Sequence, residues 1–447
     1  MRPENFSNGT PAEPAESSGK PRLAVIGSGL GGLAAAWLLR QQFDVTVFEQ
    51  HARPGMGVFT VDYTSRGATT RIDIPTRVFC EGYYPHLFAL LKTVGVHMHA
   101  TDHSAAYGDA RGEVFFHYGN LRVFGRSVSY PKGASTFSAD ARCIGLDSGR
   151  FFAQARKDLA AHPEHLAQQT LDHYLDDHLA AKTYGAAFVQ QVLLPALSVI
   201  CTCDYDSVLA YPADLILGYL CSGVMQQGVV RAEKGVDDIV PRLLADVQQV
   251  CGQAVARVEE SVRGMTVTTA DGVGRHFESV VVAAQAHQAA AMLHGFDHYK
   301  TLLEQVPFEA SSMLVHTDHA LLPRTRVPLS PVTYHLPDEA TRPEVTVDLT
   351  KAFPTYRKQD SVFQTWNPIR QPRAECVIAE AHFTRPLVTM QSRQAMAALR
   401  KLQQEEAQPT LWFCGAYVSD RVPLLEAAAA SAVDVARRLG VTIPWDA

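Results

Sequence analysis

The amino-acid sequence predicts an α/β protein built on a parallel sheet, and three features of its pattern carry that prediction. The continuous apolar run Leu23-Ala24-Val25-Ile26 opens directly into the glycine-rich turn Gly27-Ser28-Gly29-Leu30-Gly31-Gly32. An Ala/Leu-rich helical pattern over 33–40 and a second apolar strand over 44–48 follow, and that strand ends on an acid, Glu49. Near the other end of the chain, a short apolar strand runs into Gly415 and precedes a second Ala-rich helical pattern that reaches Leu439.

Each part of the first unit has a physical task. An unbroken apolar run is the mark of a parallel strand covered on both faces. Gly27 lets the chain turn tightly, Gly29 lets backbone N–H groups approach a pyrophosphate, and Gly32, with Ala36 one turn later, lets the helix lie close to the sheet. The helix N-terminus supplies partial positive charge to phosphates. Glu49, at the tip of the second strand, is placed to accept hydrogen bonds from ribose hydroxyls. Strand, GxGxxG turn, helix, strand and acid in this order form a Rossmann-like dinucleotide-binding unit. NAD and FAD share it, so the unit alone leaves both open.

Composition narrows the remaining classes. At 447 residues the chain is about three times a typical domain, and 47% hydrophobic residues are ample for a large core. Forty Lys and Arg against 46 Asp and Glu give a net charge of −6, so no basic surplus points to nucleic acid. The longest nearly apolar stretch, 192–201, contains Pro195 and falls well short of the roughly twenty residues that span a bilayer. Residues 1–20 are small and polar with three prolines, which predicts a disordered leader. The leader lacks the apolar segment of a secretory signal, so the cytoplasm is the expected location. Eight scattered cysteines form no CxxC pair, the usage of free thiols in a reducing compartment. Eighteen histidines include no HExxH, and no metal site is expected.

The middle of the chain reads differently. Over 148–220 apolar residues recur at three- and four-residue spacing, a helical pattern. Leu166, Leu171, Tyr174, Leu175 and Leu179 make one face, with Asp172, Asp176 and Asp177 on a solvated face opposite. Segments 311–317, 333–336 and 345–349 are apolar and β-branched, and predict strands of a second sheet.

The C-terminal pattern, Leu411-Trp-Phe-Cys-Gly415-Ala and then Leu424-Leu-Glu426 opening an Ala-rich helix, resembles the closing signature of the flavin-containing amine oxidase and phytoene desaturase superfamily. Gly235-Val-Asp-Asp-Ile-Val-Pro-Arg, followed by strands at 255–258, 265–269 and 279–284, resembles that superfamily's central element. Within it, a bacterial group of predicted NAD/FAD-binding flavoproteins is similar at Arg71-Ile-Asp73-Ile-Pro-Thr-Arg-Val-Phe79, Tyr84-Pro-His-Leu-Phe88, His316-Thr-Asp318, Gln364-Thr-Trp366-Asn367-Pro368 and His382-Phe-Thr-Arg385-Pro386. These matches run in order from about residue 22 to 440.

The resemblance implies FAD as cofactor and a discontinuous FAD-binding domain over 21–80, 225–292 and 405–442. An α+β substrate domain, 81–224 and 293–404, is inserted between its parts. Carried onto this chain, the cofactor contacts are Gly27, Ser28, Gly29, Leu30, Gly32, Glu49 and Gln50, then Gly57, Val58 and Thr76, then Val255 against the adenine, and Gly415 and Leu425 near the flavin. Tyr334, Trp366, Asn367 and Arg385 lie on segments expected to converge on the ring, with Tyr334, Trp366 and Arg385 as the catalytic candidates. The implied reaction is hydride transfer from a small or lipid-like organic substrate to flavin N5. An isomerase or cyclase with no net redox change, and a non-catalytic flavin-binding protein, are the alternatives. The isomerase alternative is motivated by departures from the superfamily pattern: Met56 and Pro75 stand where glycines are usual, and 422–426 replaces the usual turn before the last helix.

Overall fold

The computed structural model describes residues 19–123, 126–133, 138–224, 228–323, 328–406 and 409–446. All but the last two residues of the expected leader thus lie outside the described residues. The apolar run at the start is strand β1, Arg22–Ile26, and its Leu23, Ala24 and Val25 are wholly buried. It pairs with strand β2, Asp44–Glu49, on one side and with strand Ser279–Val282 on the other. Strands Gln248–Cys251 and Leu411–Phe413 complete a five-stranded sheet in which every pair is parallel. Segments from the beginning, the middle and the end of the chain therefore lie side by side.

Parallel neighbours require a crossover, and helix α1, Leu30–Leu39, supplies the one between β1 and β2. All ten of its residues are buried, which explains why its pattern is apolar all round. It begins three residues before the periodicity alone suggests, because Gly31 and Gly32 already belong to its first turn and Gly29 carbonyl accepts from Leu33 N–H at 2.9 Å. The C-terminal helix, Leu425–Arg438, packs against it with an equally small-residue face. A three-stranded antiparallel sheet, Val255–Ser261, Gly264–Thr269 and Gly274–Phe277, leads into strand Ser279–Val282.

The second layer is an eight-stranded sheet that runs from strand Val377–Pro386 at one edge, through Phe308–His316, Phe363–Trp366, Glu344–Asp348, Val332–His335 and Ala105–Gly108, to hairpin strands Val114–Val123 and Arg126–Pro131. Its pairings are antiparallel except for Val332–His335 against Ala105–Gly108. A helical layer accompanies it. Helix Ala139–Ala161 is longer than its pattern indicates, since Gly145, Ser148 and Gly149 dilute the apolar periodicity, yet Ile144, Phe151 and Ala155 still bury one stripe. In helix Leu171–Ala180 the residues Leu171, Tyr174 and Leu175 are buried and Asp172, Asp176 and Asp177 are exposed.

Strands β3, Phe59–Ser65, and β4, Ala68–Ile74, form a ribbon that ties the two sheets together. Gln364 Nε2 donates to the Asp73 carbonyl at 2.6 Å, and Tyr356 hydroxyl donates to the Arg71 carbonyl at 3.1 Å. Asp73 also accepts from Arg231 at 2.8 Å, with both side chains nearly fully buried. All eight cysteines are free thiols. Among the described residues no helix is long and apolar enough to cross a membrane.

Candidate functional site

The glycine turn is shaped by what surrounds each glycine. Gly27 adopts φ +105°, and a Cβ there would fall 2.9 Å from the Ala283 carbonyl oxygen. A Cβ on Gly32 would meet the Gly27 carbonyl oxygen at 2.0 Å, a contact that no relaxation of a side chain can relieve. Gly29 faces open space. It is also the N-cap of α1 and provides no side-chain acceptor, so the first-turn N–H groups are presented to whatever occupies the cavity.

The neighbouring loops close over this turn. Glu49 accepts from Ser28 N–H at 3.0 Å, from Ser28 hydroxyl, and from His51 N–H at 2.8 Å. Met56 N–H donates to the Ser28 carbonyl at 3.0 Å and Gly55 N–H to Ser28 Oγ at 3.3 Å. Met56 itself sits at φ +56° with a buried side chain, so the left-handed backbone that a glycine would favour is kept by a larger residue. On the C-terminal side, Gly415 N–H donates to Ser431 Oγ at 2.9 Å, and the C-terminal helix starts at Leu425 with no side-chain cap. Glu426 points inward instead. Wholly buried, it accepts from Leu87 N–H at 3.1 Å and pairs with His86 Nδ1 at 2.7 Å, holding the start of helix Pro85–Thr93.

These elements border one cavity of about 1750 Å³. Ligand pockets commonly run to roughly 300–1,000 Å³, so this space admits a dinucleotide and a second molecule together. Its walls come from both sheets: the glycine turn, Glu49 and Gly415 from the parallel sheet, and Phe308, Ser312, Asn367 and Arg385 from the eight-stranded one. Of the residues expected at the cofactor, Gly27, Ser28, Gly29, Leu30, Glu49, Gln50, Gly57, Val58, Val255, Gly415 and Leu425 line it.

Four expected residues are placed elsewhere. Gly32 packs under the turn rather than facing the cavity. Thr76 is turned into the framework, its N–H donating to Gln364 Oε1 at 3.1 Å and its hydroxyl to the Asp73 carbonyl at 3.0 Å. Tyr334 is stacked on Tyr107 at 4.3 Å in the core of the eight-stranded sheet, because its strand lies three strands further in than Phe308–His316, whose residues line the cavity. Trp366 donates its indole N–H to Ser311 and stands behind that cavity-lining serine. Arg385 and Asn367 do reach the cavity.

Arg77, Arg342 and Gln285 also line it without having been anticipated. For Arg77 the available signal was a charge between Ile74-Pro75 and Val78-Phe79, an otherwise apolar setting. Burial first, and then the nearby Arg385 charge, push the Arg77 guanidinium well below its usual range. Burial likewise lowers Arg385.

Comparison with known proteins agrees with this geometry. Residues 25–94 match the model of the NAD(P)-binding Rossmann-like domain. No curated relative matches the sequence. Among solved structures, the "putative protoporphyrinogen oxidase" of Exiguobacterium sp. 255-15 is similar at 16% identity and a TM-score of 0.62, covering 95% of this chain and 99% of that one. The conjugated-linoleic-acid-producing (CLA) fatty acid isomerase of P. acnes is similar at 12% identity and a TM-score of 0.65, with the same coverages. A putrescine oxidase double mutant with redesigned cofactor binding is similar at 15% identity and a TM-score of 0.60, again over 95% and 99% of the two chains. Residues 25–94 thus match an NAD(P)-binding Rossmann-like domain, and the chain as a whole shares its fold with these three enzymes.

Proposed function

We propose that this protein is an FAD-dependent oxidoreductase that takes a hydride from a small or lipid-like organic substrate. One observation carries the reading: a single cavity joins the open glycine turn and the uncapped start of α1 to a wall built by a separate sheet. The residues fit FAD. Gly29 has free space beside it, and the first turn of α1 has N–H groups to offer a pyrophosphate. Glu49 retains acceptor capacity on Oε1 for ribose hydroxyls, and Val255 would lie against the adenine. Residues 21–80, 225–292 and 405–442 form the cofactor-binding part in this reading, and 81–224 with 293–404 the substrate part.

FAD, when bound, supplies a hydride acceptor at N5. The chain's own contribution is binding, orientation and exclusion of water. The uncapped N-terminus of the C-terminal helix, at Leu424 and Leu425, brings partial positive charge to the cavity, where it favours an anionic reduced ring. Phe308, Phe383 and Met292 supply apolar wall against which a substrate carbon skeleton is held. The free thiols suit a reducing compartment, and we place the protein in the cytoplasm.

A second reading, isomerisation without net redox change, is favoured by Met56. Its side chain occupies the cavity wall at a position where the superfamily pattern has glycine, and a fatty acid isomerase shares the fold. The test begins with the purified protein, which should show oxidised-flavin absorption and release FAD on heating or acidification. A colourless protein that binds NAD instead would overturn the assignment. Consumption of oxygen or of an added electron acceptor with substrate supports the oxidoreductase. Product formed at constant redox balance supports the isomerase, and a yellow protein inert to all substrates makes it a binding protein.

A further inference from the structure

Among the cavity-lining arginines, Arg53 is exposed, and two have carboxylate partners: Arg71 pairs with Asp62 at 3.1 Å and Asp237 at 3.4 Å, and Arg342 with Glu309 at 2.9 Å. Arg77 and Arg385 are different. Among the described residues neither has a carboxylate within ion-pairing distance, and the Nε of each is buried without a hydrogen-bond partner. The polar contact of Arg77 is a long one, 3.5 Å to the Gly57 carbonyl, and Arg385 rests on the Phe383 ring at 5.8 Å.

Guanidinium groups stay protonated in proteins, so they cannot escape burial by losing the proton. Both side chains are half-buried, and two such charges facing one cavity are costly unless an anion joins them. Both line the one cavity, where the Arg385 charge disfavours the charged form of Arg77 and Asp73, itself paired with Arg231, offsets this in part. Glu49 and Asp237 are the carboxylates on the cavity wall, and both are already engaged. In the flavoenzyme reading the uncapped start of α1 would take the pyrophosphate, and Arg385 is carried by strand Val377–Pro386 of the other sheet. Phe308, Phe383, Met292 and Leu424 make the surrounding wall apolar.

We propose that Arg77 and Arg385 form a paired guanidinium seat for the carboxylate of an organic-acid substrate whose apolar body lies along the cavity wall. The proposal rests on the flavoenzyme reading above and names the substrate class for that site. A planar carboxylate held between the two guanidinium groups would neutralise both, since guanidinium and carboxylate match in geometry and charge. The same pair repels an alkylammonium, so amines are disfavoured.

The test is calorimetric binding of butanoate, octanoate and benzoate to the flavin-loaded protein, beside octanol and octylamine, with FAD content measured separately for each variant. At least one carboxylate should bind about tenfold or more tightly than octanol, and octylamine should not bind. Arg77→Leu and Arg385→Leu should each weaken carboxylate binding about tenfold with octanol binding unchanged, and Arg385→Lys should restore part of it. Equal binding of carboxylates and octanol overturns the proposal. So does loss of FAD, rather than of carboxylate affinity, in the two leucine variants, because the arginines then serve the cofactor phosphates. A variant that does not fold is replaced by its lysine counterpart, Arg77→Lys or Arg385→Lys, which keeps the charge but not the fork and should still lose affinity. If the protein carries no flavin, the flavoenzyme reading fails by that fact, while carboxylate binding and its dependence on the arginines still decide this proposal.

Discussion

The Glu49 carboxylate, at the tip of β2, accepts hydrogen bonds from both the backbone N–H and the hydroxyl of Ser28, at the centre of the glycine turn. One acid thus braces the turn and faces the cavity. Its Oε1 accepts a single hydrogen bond, from His51 N–H. Glu49→Ala should lower cofactor affinity by about 1.5–3 kcal/mol for each charge-assisted hydrogen bond lost to the ribose. FAD retained after dialysis is the measurement. Unchanged content would show that Glu49 only braces the turn.

Gly29 and Gly32 lie three residues apart and should respond oppositely to the same methyl. Gly29→Ala meets open space, so thermal stability of the cofactor-free protein should change by less than about 1 kcal/mol while dinucleotide affinity falls. Gly32→Ala drives a Cβ to 2.0 Å from the Gly27 carbonyl oxygen, and should cost about 3 kcal/mol or prevent folding. Melting temperature and FAD content, measured on both variants, separate the two effects.

The ion pair of Asp73 and Arg231 is almost wholly buried, with Arg231 also lying over the Phe353 and Tyr356 rings at 5.6 and 5.5 Å. Asp73→Asn leaves the Arg231 charge without its counter-ion, and should destabilise by about 3–5 kcal/mol. Asp73→Leu combined with Arg231→Met should cost less than either single change, because no buried charge remains. Urea unfolding of the singles and the double reads this directly. Additive losses would mean that the pair is not energetically coupled.

Asp318 supplies a pH signature. The backbone N–H groups of Arg373 and Ala320, with the Arg373 guanidinium at 3.3 Å, hold its carboxyl at about 2, below the ordinary 3.8. A depressed folded-state value means that the stability it brings is fully present above 3.8 and is lost as pH falls through about 2. The stability gap between wild type and Asp318→Asn should therefore be constant from pH 7 to about 5 and close between pH 4 and 2. A gap independent of pH would remove the ionised carboxylate from the explanation.

Much of the parallel-sheet half was readable before folding. The turn, the acid and the closing helix announce themselves in short stretches, since each is built from neighbouring residues under local constraints. Helix boundaries slipped where local composition misleads: α1 begins inside its own glycines, and helix Ala139–Ala161 hides its first turns behind Gly145 and Gly149. The cavity wall built by the eight-stranded sheet was legible only in part. Arg385 reaches the cavity as anticipated, whereas Tyr334 and Trp366 are turned into the sheet.

The sequence by itself determined the dinucleotide-binding turn, its flanking strands and the α/β class, because a tight turn, a helix start and an apolar strand depend on adjacent side chains and backbone freedom. Only the tertiary structure decided which side chains share the cavity. Arg385, on the edge strand, lines the cavity, whereas Tyr334, on the same sheet face but four strands away, is core. The order of strands in a sheet is set by long-range pairing rather than by neighbouring residues. Arg77 and Arg385 are separated by some three hundred residues of chain. Their sharing of one cavity, with no ion pair to either among the described residues, exists only once the segment after β4 and the edge of the eight-stranded sheet have closed on the same space.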